Sequence, residues 1–108
     1  MRQWIVNPKF LCQKHLCGEH VETHSFVGCI NKGTSLKGYI DKGLVEVHNI
    51  KNRHDELAKE MLRRGYKHKS DLPEFNSWEE GCVNIEQNIE ELMKRCSKCK
   101  ERILSNDR

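Results

Sequence analysis

Apolar residues recur at helical spacing in two long stretches, and this periodicity constrains the fold more than any other feature of the sequence. Residues 48–64 carry Ile50, Leu57 and Met61 on one face of a helix, and a glycine follows as a stop. Residues 83–104 carry a second apolar stripe, made of Ile85, Ile89, Leu92, Met93, Cys96 and Ile103. Two long helices are therefore predicted.

The start of the chain carries a third helix signal. Asn7 suits an N-cap, and Pro8 suits the first helical position, where its missing N–H costs nothing. This helix is predicted to run from Pro8 to about Phe26, before Gly28. Residues 29–47 are the least regular part of the sequence. From the predicted helices we expect an all-α fold, a single compact domain of three to four helices over residues 1–108.

Composition limits the class of protein. The chain has 108 residues, 36% of them hydrophobic and 32% charged, with a net charge of +3. That is enough for one core, and no apolar run approaches the ~18 residues of a membrane span. The first residues lack the pattern of a signal peptide, so a cytoplasmic location with reduced cysteines is expected, without a membrane partner.

The charge is unevenly distributed. Residues 59–69 contain Lys59, Arg63, Arg64, Lys67 and Lys69 against the single acidic residue Glu60. Such a basic stretch has the charge to hold several phosphates, and it is equally typical of a solvated helix end. Both interpretations stay open on this feature alone.

The first predicted helix brings acidic and basic groups onto one face. At 100° per residue, His15, Glu19 and Glu22 fall within about 60° of one another. Two carboxylates and an imidazole in one stripe form a plausible acid–base site, because crowding raises the pKa of one carboxyl group. An ordinary solvated face has the same composition.

Cysteine and histidine give two alternative metal patterns. Cys17, His20 and His24 lie at i, i+3 and i+7 of the first helix, a spacing on which zinc ligands converge. Cys96 and Cys99 form a C-x-x-C pair, with Cys82 fourteen residues before it. Packing of the thiols as small hydrophobic groups explains these residues without a metal. We expect no cofactor and no metal, with these two sets as the zinc alternatives.

The chain terminus offers a nucleophile. An α-amine has a pKa near 7.7–8.0, so part of it is unprotonated at neutral pH, whereas a lysine needs burial to match it. Removal of an initiator methionine requires a small second residue, and Arg2 is large. Met1 is therefore expected to be retained.

Read in order, these residues resemble the pyrimidine-dimer DNA glycosylase family. Three segments carry the likeness: His15-Leu16 with Glu19 and Glu22, residues 28–32 with their glycine and lysine, and residues 53–66 with the Arg-Gly end of the central helix. The likeness covers about residues 1–70. It implies an all-α enzyme that works without metal as a glycosylase and abasic-site lyase.

The resemblance also implies roles for individual residues. The α-amine of Met1 takes the place of the amine that attacks C1′ of the lesion deoxyribose and forms an imine, and Glu22 takes the place of the catalytic glutamate. Supporting roles in the site fall to Arg2, His15 and Glu19. Contacts with DNA fall to Lys14 and Lys32, joined by the basic helix end at Arg63 and Arg64.

The expected function is thus a DNA-repair glycosylase and abasic lyase. It acts on pyrimidine dimers or related damaged bases in double-stranded DNA, nicks the strand by β-elimination and is a monomer. Two alternatives stay open. One is a non-catalytic nucleic-acid-binding module of the same fold, and the other is a small zinc-binding interaction protein.

Overall fold

The chain enters its first helix later than the sequence predicts. The computed structural model describes residues 1–68 and 70–106. Asn7 accepts a hydrogen bond from the Lys9 N–H at 3.0 Å and caps a 3-10 turn, Pro8–Phe10. Leu11 then leaves helical geometry at φ −85° and ψ 133°. The predicted start at Pro8 is corrected because Phe10 and Leu11 turn into the core instead of continuing a helix.

Helix α1, Gln13–Lys32, is the longest in the described chain. It runs past Phe26 and through Gly28, and it ends where Gly33 takes a left-handed conformation with φ 75°. The Gly33 N–H donates to the carbonyls of Cys29 and Ile30, which closes the last turn. The helix therefore ends later than predicted, because its stop signal is Gly33 and not Gly28.

Helix α3, Ile50–Arg63, packs across α1 and forms the central helix that the periodicity predicts. A 3-10 turn, Val47–Asn49, leads into it, and a short helix, α2, Lys37–Asp41, lies in the connection from α1. Leu57 and Met61 are buried, as their spacing requires. Gly65 has φ 85°, and the next N–H donates to the Met61 carbonyl, which ends the helix.

The C-terminal apolar stripe forms two helices instead of the predicted single one. Helix α4, Ile85–Arg95, begins at Asn84, whose side chain accepts a hydrogen bond from the Gln87 N–H. Cys96 is extended, at φ −137° and ψ 108°, and helix α5, Ser97–Ser105, follows directly. Residues 66–68 and 70–84 contain no helix.

Two clusters of buried apolar side chains form the interior, and α1 contributes to both. One gathers the chain start with α1, α3, α4 and α5; its buried members include Trp4, Phe10, Leu16, Leu57, Leu92 and Ile103. The other lies around Phe26 and Ile50, within residues 26–50, with Leu72 and Phe75 against it. In the described residues all regular structure is helical, which confirms the all-α prediction. No described helix meets the length and apolarity that crossing a membrane requires.

Candidate active site

The first six residues contain no helix and are held in place by hydrogen bonds to distant parts of the chain. The Gln3 N–H donates to the Leu44 carbonyl at 2.7 Å, and the Gln3 side chain bonds both the N–H and the carbonyl of Glu46. Farther on, the Trp4 carbonyl accepts from the Asn88 side chain at 2.8 Å. This segment therefore presents the chain terminus at one place, with Met1 37% exposed.

Ile5 sits in this segment with φ 55°, a left-handed conformation that non-glycine residues rarely adopt. Such a residue costs on the order of 1–3 kcal/mol and persists where its surroundings fix it. The bonds to the carbonyls of Trp4 and Val6, from Asn88 and Arg53, supply that restraint. The path of the terminus is thus set by contacts with both α3 and α4.

Glu22 is a carboxylate that contacts the start of the chain. It lies in the middle of α1, half-buried, and its Oε2 accepts a hydrogen bond from the Arg2 backbone N–H at 3.2 Å. Burial raises the pKa of the Glu22 carboxyl above its ordinary range, although the Arg2 N–H and the charge of the N-terminal amine act in the opposite direction. A carboxyl group of raised pKa beside an amine is suited to proton transfer near neutral pH.

A cavity of about 220 Å³ opens beside this carboxylate, and we call it the Glu22 cavity. It is lined by Arg2, Trp4, Lys14, His15, Gly18, Glu19, Glu22 and Arg95. Larger surface grooves lie elsewhere, one of about 560 Å³ at residues 72–76 and one of about 750 Å³ beside Cys12 and Cys96. The lining of the Glu22 cavity combines carboxylates, an imidazole and cations.

The other two groups of the predicted stripe have different partners. Glu19 is 1% exposed and receives two hydrogen bonds from Arg53, at 2.6 and 2.8 Å. The same guanidinium reaches the Val6 carbonyl at 2.7 Å. Glu19 thus touches the cavity while its carboxylate forms a buried ion pair. His15 turns toward three cysteines.

Arg2 contributes its backbone to Glu22 and its side chain to α4. Its Nη2 donates to the Asn88 side chain at 2.8 Å and pairs with Glu91 at 3.0 Å, and its guanidinium stacks over the Trp4 ring at 3.7 Å. The side chain is 20% exposed. Arg2 therefore connects the chain start with a helix near the C-terminus.

Some of the basic side chains singled out from the sequence form ion pairs, and others are exposed to solvent. Arg64 is 8% exposed, pairs with Glu60 and donates to the carbonyls of Pro8 and Leu11. Arg63 also pairs with Glu60, and together the two guanidinium groups lower the pKa of that carboxyl to about 2, but Arg63 stays 55% exposed. Lys14 and Lys32 are exposed, and Lys69 lies outside the described residues. Arg64 is thus the least accessible of the described basic residues in the stretch 59–68.

Cysteine and histidine meet in a set that the sequence did not predict. The Sγ atoms of Cys12, Cys96 and Cys99 and a ring nitrogen of His15 all lie within 4.8 Å of one another, and we call these residues the Cys/His cluster. Cys82 is exposed and takes no part in it. The signal that was available is a C-x-x-H at residues 12–15 with the same spacing as the C-x-x-C at 96–99.

The predicted zinc set Cys17, His20 and His24 does not come together either. The rings of His20 and His24 lie against the ring of His54. His20 also contacts His68, and the Nε2 atoms of these two residues are 2.8 Å apart. Cys17 is not among them; it packs against the apolar cluster of α4 and α5. The imidazoles bond one another and the backbone, since His54 Nε2 also lies 3.2 Å from the Ser70 carbonyl.

A family model described as pyrimidine dimer DNA glycosylase matches residues 1–74, more than half of the chain. The chain belongs to the pyrimidine dimer DNA glycosylase family. Its function is accordingly of the DNA glycosylase type, on a DNA substrate, as the resemblance predicted. No curated protein and no solved structure matches the chain.

The family model covers one part of this glycosylase-family member, residues 1–74, and the helices that follow lie outside the match. Residues 1–74 contain the start of the chain, α1, α2 and α3, and with them Glu22 and the Glu19–Arg53 pair. Helices α4 and α5 lie beyond it, yet α4 touches the chain start through Asn88, and Arg95 lines the Glu22 cavity. Sequence reasoning missed Trp4, Arg53 and Arg95, because their importance lies in partners far along the chain.

Proposed function

We propose that this chain removes a damaged base, of a pyrimidine dimer or a related lesion, and nicks the strand through an imine formed by the α-amine of Met1. The observation that carries the proposal is the hydrogen bond from the Arg2 N–H to Glu22. This bond holds the Glu22 carboxylate beside Arg2, the residue next to Met1, and both residues lie in the segment that the family model matches. The Glu22 cavity next to it gives the reacting sugar a place to bind.

The proposed first step joins the amine to the sugar. The amine nitrogen forms a bond to C1′ as the glycosidic bond breaks, and the base leaves with the bonding electrons and takes up a proton. Loss of a proton from nitrogen and transfer of one to O4′ then open the C1′–O4′ bond and give the imine. Glu22 is the group proposed to stabilise the cationic sugar and to move these protons.

The proposed second step breaks the strand. A proton is removed from C2′ of the imine, and the C3′–O bond breaks with its electron pair leaving on the phosphate. The strand is nicked 3′ to the lesion by β-elimination, and hydrolysis of the remaining imine releases the amine. Every step uses groups of the chain, water and the DNA.

The proposed substrate is damaged double-stranded DNA bound by a monomer. Chemistry at C1′ requires that the nucleotide leave the stack, so a distorted duplex is part of the proposal. Lys14 and Lys32 are the cations we assign to phosphate contacts, with Arg63 at the margin, because these side chains are exposed. Arg2 and His15 keep supporting roles at the cavity. A cytoplasmic location and a single domain stay predictions.

Borohydride trapping on duplex DNA with one abasic site tests the chemistry. We expect a covalent adduct that mass spectrometry maps to Met1, and we expect one added residue before Met1 to abolish it. Glu22→Gln should reduce strand nicking by ~10²–10⁴ while DNA binding persists, because the swap keeps size and removes charge. An adduct on a lysine overturns the assignment of the amine.

The matched control is Glu90→Gln, an exposed carboxyl group on α4. Glu19→Gln is a poor control, because its partner Arg53 would lose a buried counter-charge. Equal nicking by the Glu22 and Glu90 variants contradicts the role of Glu22. DNA binding without any adduct in the unaltered chain favours the non-catalytic nucleic-acid-binding module instead.

A further inference from the structure

The Cys/His cluster has the donor atoms of a structural metal site. It contains three thiols and one imidazole, from Cys12, His15, Cys96 and Cys99, with all four donor atoms within 4.8 Å of one another. Cys12 and Cys99 are buried, at 6% and 0% exposure. Three sulfurs and one nitrogen form one of the standard tetrahedral zinc sets.

The distances within the cluster fit a metal better than a disulfide. A tetrahedral Zn²⁺ with Zn–S of about 2.3 Å and Zn–N of about 2.1 Å separates two sulfurs by about 3.8 Å and sulfur from nitrogen by about 3.6 Å. Cys12 Sγ lies 3.8 Å from Cys96 Sγ, and His15 Nδ1 lies 3.2 and 3.5 Å from the sulfurs of Cys12 and Cys99. A disulfide requires an S–S distance of about 2.05 Å. The spacing is that of ligands around a shared ion.

Backbone amides support the sulfurs from the outside. The Cys12 N–H points at Cys99 Sγ at 3.3 Å, and the Cys99 N–H points at Cys96 Sγ at 3.4 Å. Hydrogen bonds of this kind orient the ligands of a metal and stabilise thiolate charge. Two of the three sulfurs thus accept a backbone hydrogen bond, an arrangement that suits metal-bound sulfur.

The cluster also accounts for the break between α4 and α5. Cys96 leaves helical geometry although it lies on the apolar stripe, and its extended backbone brings Sγ to Cys12. Cys12 in turn is the N-cap of α1, so each ligand pair comes from the start of a helix. The two pairs are 84 residues apart in sequence.

We propose that Cys12, His15, Cys96 and Cys99 bind one structural Zn²⁺, which fastens α4 and α5 to the start of α1 beside the Glu22 cavity. Four protein ligands leave no open position for water, which separates this site from a catalytic one. The ion joins the family-matched segment to the helices beyond residue 74. His15 and Arg95, the latter next to Cys96 in sequence, both line the Glu22 cavity.

Metal analysis of the purified full chain tests the site directly. We expect about one zinc per chain, and we expect Co²⁺ to replace it with thiolate-to-cobalt charge-transfer absorption of a tetrahedral complex. The control is Cys82→Ser, which alters an exposed cysteine outside the cluster and should keep the full metal content. Absence of stoichiometric metal together with absence of the cobalt absorption overturns the proposal.

Ligand variants sharpen the test and guard against loss of fold. Cys99→Ser should lose most of the zinc, while His15→Cys should retain it as a four-thiolate site with cobalt charge-transfer absorption raised by about one third. An unchanged cobalt spectrum in His15→Cys, or equal zinc loss in Cys82→Ser, contradicts the assignment. These readouts do not depend on DNA chemistry, so the metal site and the imine proposal can fail separately.

Discussion

The family-matched segment, residues 1–74, and the pair of helices that follows it are held in place by different chemistry. The matched segment closes its α1–α3 contact with the Glu19–Arg53 ion pair and carries an apolar cluster of its own around Phe26. Helices α4 and α5 have 11 and 9 residues. Besides their apolar packing against the chain start, α1 and α3, they attach to the rest through Arg2, Asn88 and the Cys/His cluster.

The difference follows from how much each region can bury. Short helices are marginal by themselves and depend on packing. In α4 and α5 the buried side chains are Asn88, Ile89, Leu92, Cys99 and Ile103. A cross-link to the start of α1 compensates for that small apolar surface, whereas the longer α1 and α3 bury enough to surround a charged pair. The two regions should therefore respond to different perturbations.

The largest effect is expected from breaking the buried ion pair. Arg53→Met should lower the free energy of unfolding by about 3–5 kcal/mol, because it leaves the Glu19 carboxylate buried without its counter-charge. Urea denaturation of the two proteins measures the change. The matched control is Lys37→Met, which breaks an exposed pair with Asp41 and should leave the free energy of unfolding nearly unchanged, because solvent screens such a pair. A loss below 1 kcal/mol for Arg53→Met would show that this pair does not support the matched segment.

Removal of metal should act on the other region. Chelation should lower the free energy of unfolding by about 4 kcal/mol when free Zn²⁺ had been near a thousand times the Kd of the site. Hydrogen exchange should then speed up in α4 and α5 while the amides of α3 keep their protection. Equal loss of protection in α3 and α5 would contradict the division into two regions. The control is Cys99→Ser, which lacks the metal site, so adding chelator should not change its stability or its hydrogen exchange.

A mild acid effect should belong to the matched segment. Burial and the neighbouring His54 and His68 lower the pKa of His20 to about 4, from an ordinary value near 6.5. A histidine whose pKa is depressed by folding stabilises the protein above pH 6.5, and this stability is lost as pH falls toward 4. The loss is on the order of 2–3 kcal/mol.

Denaturation curves between pH 7 and pH 4, in chelator so that metal release does not contribute, measure this loss. His20→Gln should flatten the dependence, and His48→Gln, at an exposed histidine, should leave it unchanged. A pH dependence that is unaffected by His20→Gln would assign the acid sensitivity to other groups.

Periodicity predicted the parts of the fold that depend on local signals. Helix α3 lies where its apolar stripe and Gly65 place it, because the stripe lies within the helix and Gly65 follows directly after its C-cap. The division of the last helix at Cys96 was not predictable from the stripe. Cys96 fits an apolar helix face as well as any small residue does. The residue that its side chain contacts at the break is Cys12, which lies near the other end of the chain.

The candidate site shows the same limit. The spacing of His15, Glu19 and Glu22 places them on one side of α1, and the structure has all three at the Glu22 cavity. Each then has a different partner: cysteines for His15, Arg53 for Glu19 and the Arg2 N–H for Glu22. Spacing on a helix defines a face, but the roles on that face depend on what the other helices bring to it.

The smallest expected effect concerns which of the two regions contacts DNA. Lys14 and Lys32 are exposed in the matched segment, and Lys100 is exposed on α5. If roughly 4–6 phosphates are contacted, log K for duplex DNA should fall against log salt with a slope of about −4 to −5. Lys14→Ala should reduce that slope by about one unit on every sequence tested, because one phosphate contact is lost.

Lys100→Ala is the matched control and should leave the slope unchanged if α5 supports the site without touching DNA. Both substitutions remove one lysine, so the change in net charge is the same and cancels from the comparison. Equal slopes for the two variants would mean that binding follows total charge rather than position. A larger change for Lys100→Ala would place DNA across α4 and α5, and the helices beyond residue 74 would then be part of the binding surface.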